Sequence, residues 1–292
     1  GMVRRMVRSR VFVGGGSGID MTGGDGVRRR NVVALDRTFW ASHRHLCQEL
    51  VRIARDRVAA REDDAMSGVV GHAKALRDLL DLARQVADAP VSVLITGESG
   101  TGKQQLARLI HQWSGRRAGP LVNVKCGALG DPVAAERELF GQCERGVVIR
   151  EGRLREAEGG TLLLADVDAL PLAVQAQLLR VLQEHRHEPL GDGEPRSADL
   201  RVIATTSKDL ERLVKAGKLR EDLYYRLGVV SLRTPSLRER RDDVPLLAMH
   251  FLRRSAARAR KPVVGFGERA LGVLLACDWP GNIRQLEHCV ER

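Results

Sequence analysis

Residues 93–103 read VLITGESGTGK, and this stretch decides the fold. The apolar residues Val93–Thr96 predict a buried strand, and a helical pattern follows from Gln104 to Gln112. Between them lies the G-x-x-x-x-G-K spacing, in the strand–loop–helix context that a phosphate loop requires. The glycines let backbone N–H groups curl around phosphate oxygens, while the helix N-terminus and Lys103 add positive charge. The stretch therefore predicts a nucleotide site at Gly97, Glu98, Ser99, Gly100, Thr101, Gly102, Lys103 and Gln104.

The composition of the chain indicates which classes of partner are expected. The chain has 292 residues and a net charge of +11, and 43% of its residues are hydrophobic but only 3% aromatic. The basic balance favours polyanions such as nucleotides or nucleic acid, or else reflects an arginine-rich surface, and the few aromatics argue against a platform that stacks RNA bases. Five scattered cysteines without a CxxC pair predict neither a zinc ribbon nor a disulfide framework. Because no apolar run is long enough for a membrane span, we expect a cytoplasmic protein without a membrane partner.

The pattern along the chain predicts an α/β domain with different segments on either side. Residues 1–38 are rich in glycine and arginine and predict a flexible segment, and residues 39–66 predict a linker helix that either packs on the next domain or dimerises. From about Val69, short aliphatic runs alternate with helical stretches, which predicts a parallel sheet covered by helices on both faces. The predicted strands are Val91–Thr96, Leu121–Val124, Leu162–Ala165, Val202–Thr205 and Val229–Leu232. After Pro245 the periodicity is helical only, which predicts a small helical appendage.

Seven motifs in order resemble one known family. They are GESGTGK at 97–103, ELFGQCERG at 138–146, GGTLLL at 159–164, LPLAVQAQLLRVLQE at 170–184, LREDLYYRL at 219–227, LRERRDDVPLLAMHFL at 237–252 and WPGNIRQLE at 279–287. Together they resemble the AAA+ ATPase domain of bacterial enhancer-binding proteins, the activators of sigma-54 RNA polymerase. The resemblance implies a P-loop AAA+ three-layer sandwich with a five-stranded parallel sheet over residues 67–237. It also implies an all-helical lid over residues 238–292.

The resemblance implies how ATP and Mg²⁺ would be held. The family forms a ring, here expected to be hexameric or heptameric, with the nucleotide between neighbouring copies of the chain. Val70 and Gly71 stand where the family packs the adenine, and Lys103 is the lysine that binds the phosphates. Arg284, in WPGNIRQ, aligns with the lid arginine that senses the phosphates of its own subunit.

Two arginines align with residues that act across the subunit boundary. Arg220 and Arg226, in REDLYYRL, match arginines that reach into the neighbour's nucleotide in the family. An arginine supplied by a neighbour suits the charge that grows on the transferred phosphoryl group. The alternative is that both residues simply solvate a helix face.

The acidic strand end departs from the family pattern. The flanks GGTLLL and LPL align without gaps, so Ala165 falls on the family's magnesium-ordering Asp and Asp166 on its water-polarising Glu. Asp166 is thus the carboxylate left for both the metal and the catalytic role, and it is one methylene shorter than Glu. If the segment is extended, Asp168 points the same way as Asp166 and compensates. Gln104 stands where Ser or Thr would usually place a hydroxyl on magnesium.

Two further positions point to slow hydrolysis. VNVKCGAL at 122–129 resembles a family motif whose Asn restrains the catalytic Glu, and Lys125 takes the place of that Asn. A cation there predicts an ion pair with Asp166 that lowers the value of this carboxylate as a base. ATTSKDL at 204–210 resembles a motif whose Asn senses the γ-phosphate, and Ser207 replaces it with a shorter group.

The largest difference from the family is a deletion. In the family, ERG opens the GAFTGA loop that touches sigma-54, whereas here Gly146 is followed by Val147–Glu151 and the pattern resumes at Gly152. About five residues and the aromatic tip of the loop are absent from this sequence. We expect any contact with DNA to be made by a missing or separate module of the kind that usually ends the family, because the N-terminal arginines offer only salt-sensitive, non-specific affinity for DNA.

Three functions fit these residues. We favour an ATP-binding transcriptional regulator that oligomerises on ATP, hydrolyses it weakly or not at all, and does not remodel sigma-54 directly. The first alternative is a working ATPase that activates sigma-54 or another polymerase form, so that RNA polymerase or a sigma factor is its partner. The second is a scaffold whose pocket no longer binds nucleotide. The retained lysine and arginines argue against the scaffold, and the altered acids and the missing loop argue against the ATPase.

Overall fold

The computed structural model describes residues 69–191, 194–263 and 265–292, so the predicted segments 1–38 and 39–66 lie outside the described residues. Helices α1 to α10 span Lys74–Gln85, Lys103–Trp113, Pro132–Phe140, Arg153–Glu156, Leu172–Glu184, Leu210–Lys215, Glu221–Leu227, Val244–Ala259, Glu268–Ala276 and Asn282–Glu291. Strands β1 to β10 span Val93–Thr96, Leu121–Lys125, Gly141–Glu144, Val147–Glu151, Thr161–Ala165, Arg186–His187, Leu190–Gly191, Arg196–Ser197, Arg201–Thr206 and Val230–Arg233. Short 3₁₀ turns cover Cys126–Ala128, Val167–Ala169 and Leu237–Asp243. No helix within these described ranges is long and apolar enough to cross a membrane.

The five predicted strands form one parallel sheet in the order β10-β1-β9-β5-β2, which confirms the predicted fold class. Thr96 of β1 pairs with Thr206 of β9, and Thr205 of β9 pairs with Ala165 of β5. The carboxyl ends of these three strands therefore meet at one edge of the sheet. This is the edge at which open α/β sheets bind ligands.

Helices cover both faces of this sheet. Successive strand residues point to opposite faces, and in β1 Val93 and Ile95 belong to one buried cluster while Leu94 belongs to the other. The first cluster packs against α1 and α2, and the second against α3, α5 and α7. Burial on both faces explains why the strands read as continuous apolar runs. The result is the predicted three-layer sandwich.

The residues after β10 form a helical lid with a core of its own, which confirms the predicted helical appendage. Phe251, Leu274 and Leu286 join α8, α9 and α10 in one apolar cluster. The indole Nε1 of Trp279 donates to the carbonyl O of Leu274 at 2.8 Å. Val70, from the segment before α1, packs against the same cluster. The segment predicted to pack the adenine is therefore attached to the lid.

A tight hairpin occupies the place of the predicted deletion. Strands β3 and β4 pair antiparallel with Glu144 opposite Val147, and Arg145 and Gly146 connect them with φ angles of 53° and 73°. Positive φ at both central residues is the pattern of a type I′ turn, whose twist matches a hairpin. The sequence did not predict these strands, because every residue of β4 is exposed and no alternation of apolar and polar residues marks it.

Candidate nucleotide site

The phosphate loop is a tight turn between β1 and α2 that requires glycine. Its φ angles are +143° at Gly97, +79° at Gly100 and +99° at Gly102, a region that residues with a Cβ rarely adopt. A Cβ on Gly97 would also lie 2.1 Å from Thr234 Oγ1, and one on Gly100 would lie 2.2 Å from the carbonyl O of Gly281. In the described part of the chain no side chain caps the N-terminus of α2. Its first N–H groups can therefore bind an anion.

Lys103 begins α2, and its ammonium turns back over the loop. Its Nζ donates to the carbonyl O of Gly97 at 2.8 Å and to that of Glu98 at 2.9 Å, and the residue is only 8% exposed. Burial lowers the pKa of Lys103, an effect that the carboxylate of Asp166 opposes. An ammonium held against the loop backbone adds its charge to the amide dipoles that face a phosphate.

Threonines brace the loop against the neighbouring strands. Thr101 Oγ1 lies 2.8 Å from the carbonyl O of Glu98 and 2.8 Å from Thr234 Oγ1. The backbone N–H of Thr234, just after β10, donates to the carbonyl O of Thr96 at 2.8 Å. Because these contacts lie within the protein, the loop holds its shape before any ligand binds, which lowers the ordering cost of binding.

Asn282, at the start of α10, joins the lid to this loop. The residue is fully buried, and its Nδ2 donates to the carbonyl O of Ser99 at 3.0 Å and to Glu98 Oε2 at 3.2 Å. Its Oδ1 accepts from the backbone N–H of Leu237 at 2.7 Å. Its φ of +51° lies in the left-handed region, which asparagine tolerates better than most residues. One side chain thus connects the phosphate loop, the base of the lid and α10.

Two arginines of the lid, Arg238 and Arg284, add further contacts between the lid and the phosphate loop. Arg238 donates to Glu98 Oε2 at 2.8 Å and also to Oε1, in a two-pronged ion pair. The hydrogen bond from Arg238, and after it the one from Asn282, holds the pKa of Glu98 below its ordinary value. Arg284 donates from its guanidinium to Ser99 Oγ at 3.3 Å. The arginine that the sequence assigns to phosphate sensing therefore lies beside the phosphate loop of its own chain.

The acidic strand end has a different shape from the one expected. Strand β5 ends at Ala165, which is fully buried, and Asp166 follows with a φ of +58°. Val167–Ala169 then forms a 3₁₀ turn, so the assumption that Asp166 and Asp168 alternate on an extended strand is wrong. A left-handed non-glycine residue is uncommon and costs free energy, and such residues cluster at functional sites.

Asp168 is engaged by other residues. Its carboxylate is 4% exposed, its Oδ1 accepts from Thr206 Oγ1 at 2.6 Å, and its Oδ2 pairs with Lys208 Nζ at 2.9 Å. The hydrogen bond to Asp168 raises the pKa of Lys208. The predicted ion pair between Lys125 and Asp166 is wrong: Lys125 is exposed, and Asp166 has no ion pair within the described ranges.

Ser207, which stands where the family that the sequence resembles has its γ-phosphate-sensing Asn, shares a cavity with the phosphate loop. The cavity has a volume of about 260 Å³ and lies at the carboxyl ends of β1, β9 and β10. Its lining residues are Thr96, Gly97, Glu98, Ser207, Lys208, Asp209, Arg233, Thr234 and Ser236. The carboxyl edge of the sheet is thus open at the point where the γ-phosphate end of a nucleotide is expected.

The described residues at this edge offer few protein ligands for a Mg²⁺ ion. In the ranges that the structure describes, no group of three or more His, Cys, Asp and Glu side chains could hold a metal ion. Ala165 offers no ligand atom, and the carboxylate of Asp168 is already paired with Lys208. Asp166 is exposed and lies close enough to Lys103 to favour the charged form of its ammonium. In the part of the chain that the structure describes, Asp166 is the acid near Lys103 that has no ion pair, which leaves one carboxylate where the family pattern has two.

Arg220 precedes α7 and Arg226 lies within it, and the bonds described for both are to residues outside the phosphate loop. The backbone N–H of Arg220 donates to Gln175 Oε1 at 2.9 Å, and its exposed guanidinium pairs with Asp222 at 2.7 Å. Arg226 donates from Nε and a terminal nitrogen to the carbonyl O of Leu182 at 3.2 and 2.7 Å. Among the described residues, neither arginine bonds to the phosphate loop of its own chain.

Among the residues at this site that were not singled out from the sequence are Asn282, Arg238 and Lys208. Only Asn282 carried a local signal, because it follows Gly281 in a turn-forming pair. The partners of Arg238 and Lys208 are distant in the chain, at Glu98 and Asp168, and long-range ion pairs leave no local pattern.

The sequence of this chain is similar to two known protein families and to several regulatory proteins. Residues 69–233 match the family described as the sigma-54 interaction domain, and residues 238–292 match the AAA+ ATPase lid domain. The transcriptional regulatory protein ZraR of Salmonella typhimurium is 47% identical over 233 residues, which are 78% of this chain and 52% of that protein. The regulatory protein AtoC of Escherichia coli is 42% identical over 229 residues, which are 77% of this chain and 49% of that protein. The chain thus spans about half the length of the curated relatives it matches.

Solved structures of NtrX from Brucella abortus are similar in fold. The complex of that protein with ATP has a TM-score of 0.72 and 35% identity, and covers 84% of this chain and 55% of its own. The complex with ADP has a TM-score of 0.73 with the same identity and coverage. The likeness therefore extends over most of the chain described above.

Proposed function

The chain belongs to the sigma-54 interaction domain family of AAA+ ATPases, and from this premise we propose that it binds ATP between its phosphate loop and its helical lid. In the proposal, the chain assembles into a ring on ATP and hydrolyses the nucleotide slowly or not at all. It acts as a transcriptional regulator that does not remodel sigma-54 directly.

One contrast supports this proposal: the phosphate loop and Lys103 are held in place by several contacts, whereas the strand end beside them offers one acid where the family pattern has two. Gly97–Lys103 is braced by Asn282, Arg238 and Thr234. The strand end beside it offers Asp166 and, at the neighbouring position, a buried alanine. Binding and hydrolysis depend on different atoms, so the first can persist where the second has weakened.

The binding half of the proposal assigns a task to each group. The loop N–H groups and Lys103 bind the β- and γ-phosphates, since both lie at the N-terminus of α2. Arg284 reaches the phosphates from the lid, next to Ser99. Arg220 and Arg226 face a neighbouring copy of the chain and place positive charge near its γ-phosphate. A ring is then more stable with nucleotide than without it, because the ligand binds residues of two copies.

The proposal of slow hydrolysis rests on the acidic residues at the end of β5. Loss of a positioned base typically costs about 10²–10⁴ in rate, and Asp166 is an exposed carboxylate one methylene shorter than the Glu of the family pattern. Losses within one site need not multiply, so we expect slow turnover rather than a strict absence of it.

The proposed lack of direct sigma-54 remodelling rests on the β3–β4 hairpin. Its two-residue turn at Arg145 and Gly146 leaves no loop long enough to reach a partner. RNA polymerase or a sigma factor remains the proposed partner class, and DNA would be contacted through a separate module.

A second candidate is a working ATPase in which Asp168 serves as the acid. One observation favours it, since Asp166 and Asp168 both lie close enough to Lys103 to raise its pKa. Against it, Asp168 is already held by Lys208 and Thr206.

The test pairs affinity with turnover in the whole chain. Calorimetry measures ATP binding with and without Mg²⁺, and phosphate release is measured over a series of protein concentrations. We expect ATP to bind in both conditions and turnover to be slow at every concentration. Turnover that rises with protein concentration and disappears in Arg220→Ala would favour the working ATPase. If ATP does not bind at all, the chain is a scaffold whose pocket no longer binds nucleotide.

A further inference from the structure

The segment Val70–Ala73, just before α1, is held by the base of the lid. Val70 packs against the apolar cluster of the lid. The backbone N–H groups of His72 and Ala73 donate to Asp243 Oδ1 at 2.7 and 3.0 Å. The ring Nδ1 of His72 lies 3.3 Å from the same oxygen. Asp243 stands at the start of α8, so the lid and this segment are tied together by one carboxylate.

The carboxylate of Asp243 also caps α1 from a distance. The helix begins at Lys74, and within the described residues its N-cap Ala73 receives no side-chain cap from the local sequence. Asp243 supplies the acceptor from 170 residues further along the chain. A negative charge at a helix N-terminus is favourable because it meets unpaired N–H groups and the positive end of the helix dipole.

Close packing at Gly71 fixes the segment against the carboxylate. Its φ of +153° is a value that residues with a Cβ rarely adopt. A Cβ at this position would lie 2.6 Å from Asp243 Oδ2 and 2.5 Å from Leu76 Cδ2. Even the smallest side chain would therefore push the segment away from Asp243.

The charge of Asp243 is only partly compensated. The residue is fully buried, and the guanidinium of Arg240, 3% exposed, lies 3.7 Å from Oδ2. Among the described residues, Oδ2 and Arg240 Nε have no hydrogen-bond partner. A buried ion pair with unused groups contributes little net stability. The well-formed contacts of Asp243 are those to His72 and Ala73.

We infer that Asp243 is a positioning residue for the nucleotide base: it holds Val70–Ala73 against the lid so that the segment can pack on the base. The inference rests on the proposed function, because it needs ATP to bind here. The phosphate loop is braced by Thr234, Asn282 and Arg238, and no bond described above links Asp243 itself to that loop. Asp243 therefore affects the part of the affinity that comes from the base, and not the part that comes from the phosphates.

The test compares two probes, ATP and inorganic tripolyphosphate, which share the phosphates and differ in the nucleoside. Calorimetry on the whole chain measures both dissociation constants in Asp243→Asn and in Gly71→Ala. We expect ATP affinity to fall about 10- to 100-fold, the worth of one or two hydrogen bonds to a charged group. Tripolyphosphate affinity should stay within about twofold. Asp242→Asn is the matched control, because Asp242 is the exposed neighbour of Asp243.

A measurement on the unaltered chain covers the case in which the variants do not fold. Hydrogen exchange of the His72 and Ala73 amides should slow on addition of ATP, and should not slow on addition of tripolyphosphate. The inference is overturned if folded variants lose affinity for both probes equally, if ATP affinity is unchanged, or if ATP adds no protection at these amides. A wild-type chain that binds neither probe instead defeats the proposed function itself.

Discussion

The phosphate loop and the acidic strand end lie on the same edge of one sheet, yet they are held very differently. The loop is bound by Lys103, Thr234 and two side chains of the lid. At the strand end, the N–H of Asp166 makes one long contact, 3.4 Å from Thr205 Oγ1. The difference shows that a nucleotide-binding fold can retain the contacts of its phosphate loop while the residues for hydrolysis change at the end of a neighbouring strand. Both regions can be altered independently, because different strands carry them.

The largest effect is expected from the phosphate loop. Lys103→Ala should lower ATP affinity by about 100-fold or more, because the ammonium makes charge-assisted contacts with phosphate. Calorimetry measures the affinity, and Lys215→Ala, which removes an exposed lysine of α6, is the control. A loss below about tenfold would mean that the loop does not bind the triphosphate.

The next effect is expected from restoring the strand end. Ala165→Asp should raise the rate of phosphate release by about tenfold or more, since it returns a carboxylate that can order a metal ion. Some stability should be lost, because Ala165 is fully buried. Single-turnover phosphate release measures the rate.

The same variant tests the role of Lys125. Since Lys125 is exposed and does not pair with Asp166, adding Lys125→Asn to Ala165→Asp should change the rate by less than about twofold. A large further gain would show that Lys125 restrains the acid after all.

A smaller effect is expected where the lid meets the loop. Asn282→Ala should lower the free energy of unfolding by about 1–3 kcal/mol, because it leaves the buried N–H of Leu237 without an acceptor. Chemical denaturation measures this loss, and calorimetry should show ATP affinity falling by about tenfold at most. His288→Ala, at an exposed position on the same helix, is the control. Equal losses in the two variants would mean that Asn282 does not couple lid and loop.

The smallest effect concerns pH. The pKa of Glu98 lies below its ordinary value of 4.5 because Arg238, and then Asn282, donate to it. Its contribution to stability is therefore complete above that ordinary value and is lost as pH falls through the lowered pKa. Melting temperatures of wild type and Glu98→Gln should differ at neutral pH and converge in acid. High salt should shrink the difference, since the pair is partly exposed. A difference that does not depend on pH would exclude this ion pair as its cause.

The sequence predicted the sheet well because its strands are buried on both faces. Such strands read as continuous aliphatic runs, as in Leu162–Ala165, and the phosphate loop has a fixed spacing. The turn at Asp166 could not be predicted, because alternation of side chains indicates faces and not backbone torsions. Nor could the pairing of Asp168 with Lys208, since it depends on how two loops approach each other in the folded chain.

The two-residue turn at Arg145 and Gly146 has a consequence for how such domains diversify. Both residues are exposed, and the strands on either side are already paired. Lengthening a surface connection costs little, about 0.6 kcal/mol for each doubling of its length. A peptide inserted between Arg145 and Gly146 would therefore leave the sheet and the phosphate loop folded. The hairpin is therefore a position at which a partner-binding peptide can be exchanged while the nucleotide site stays the same.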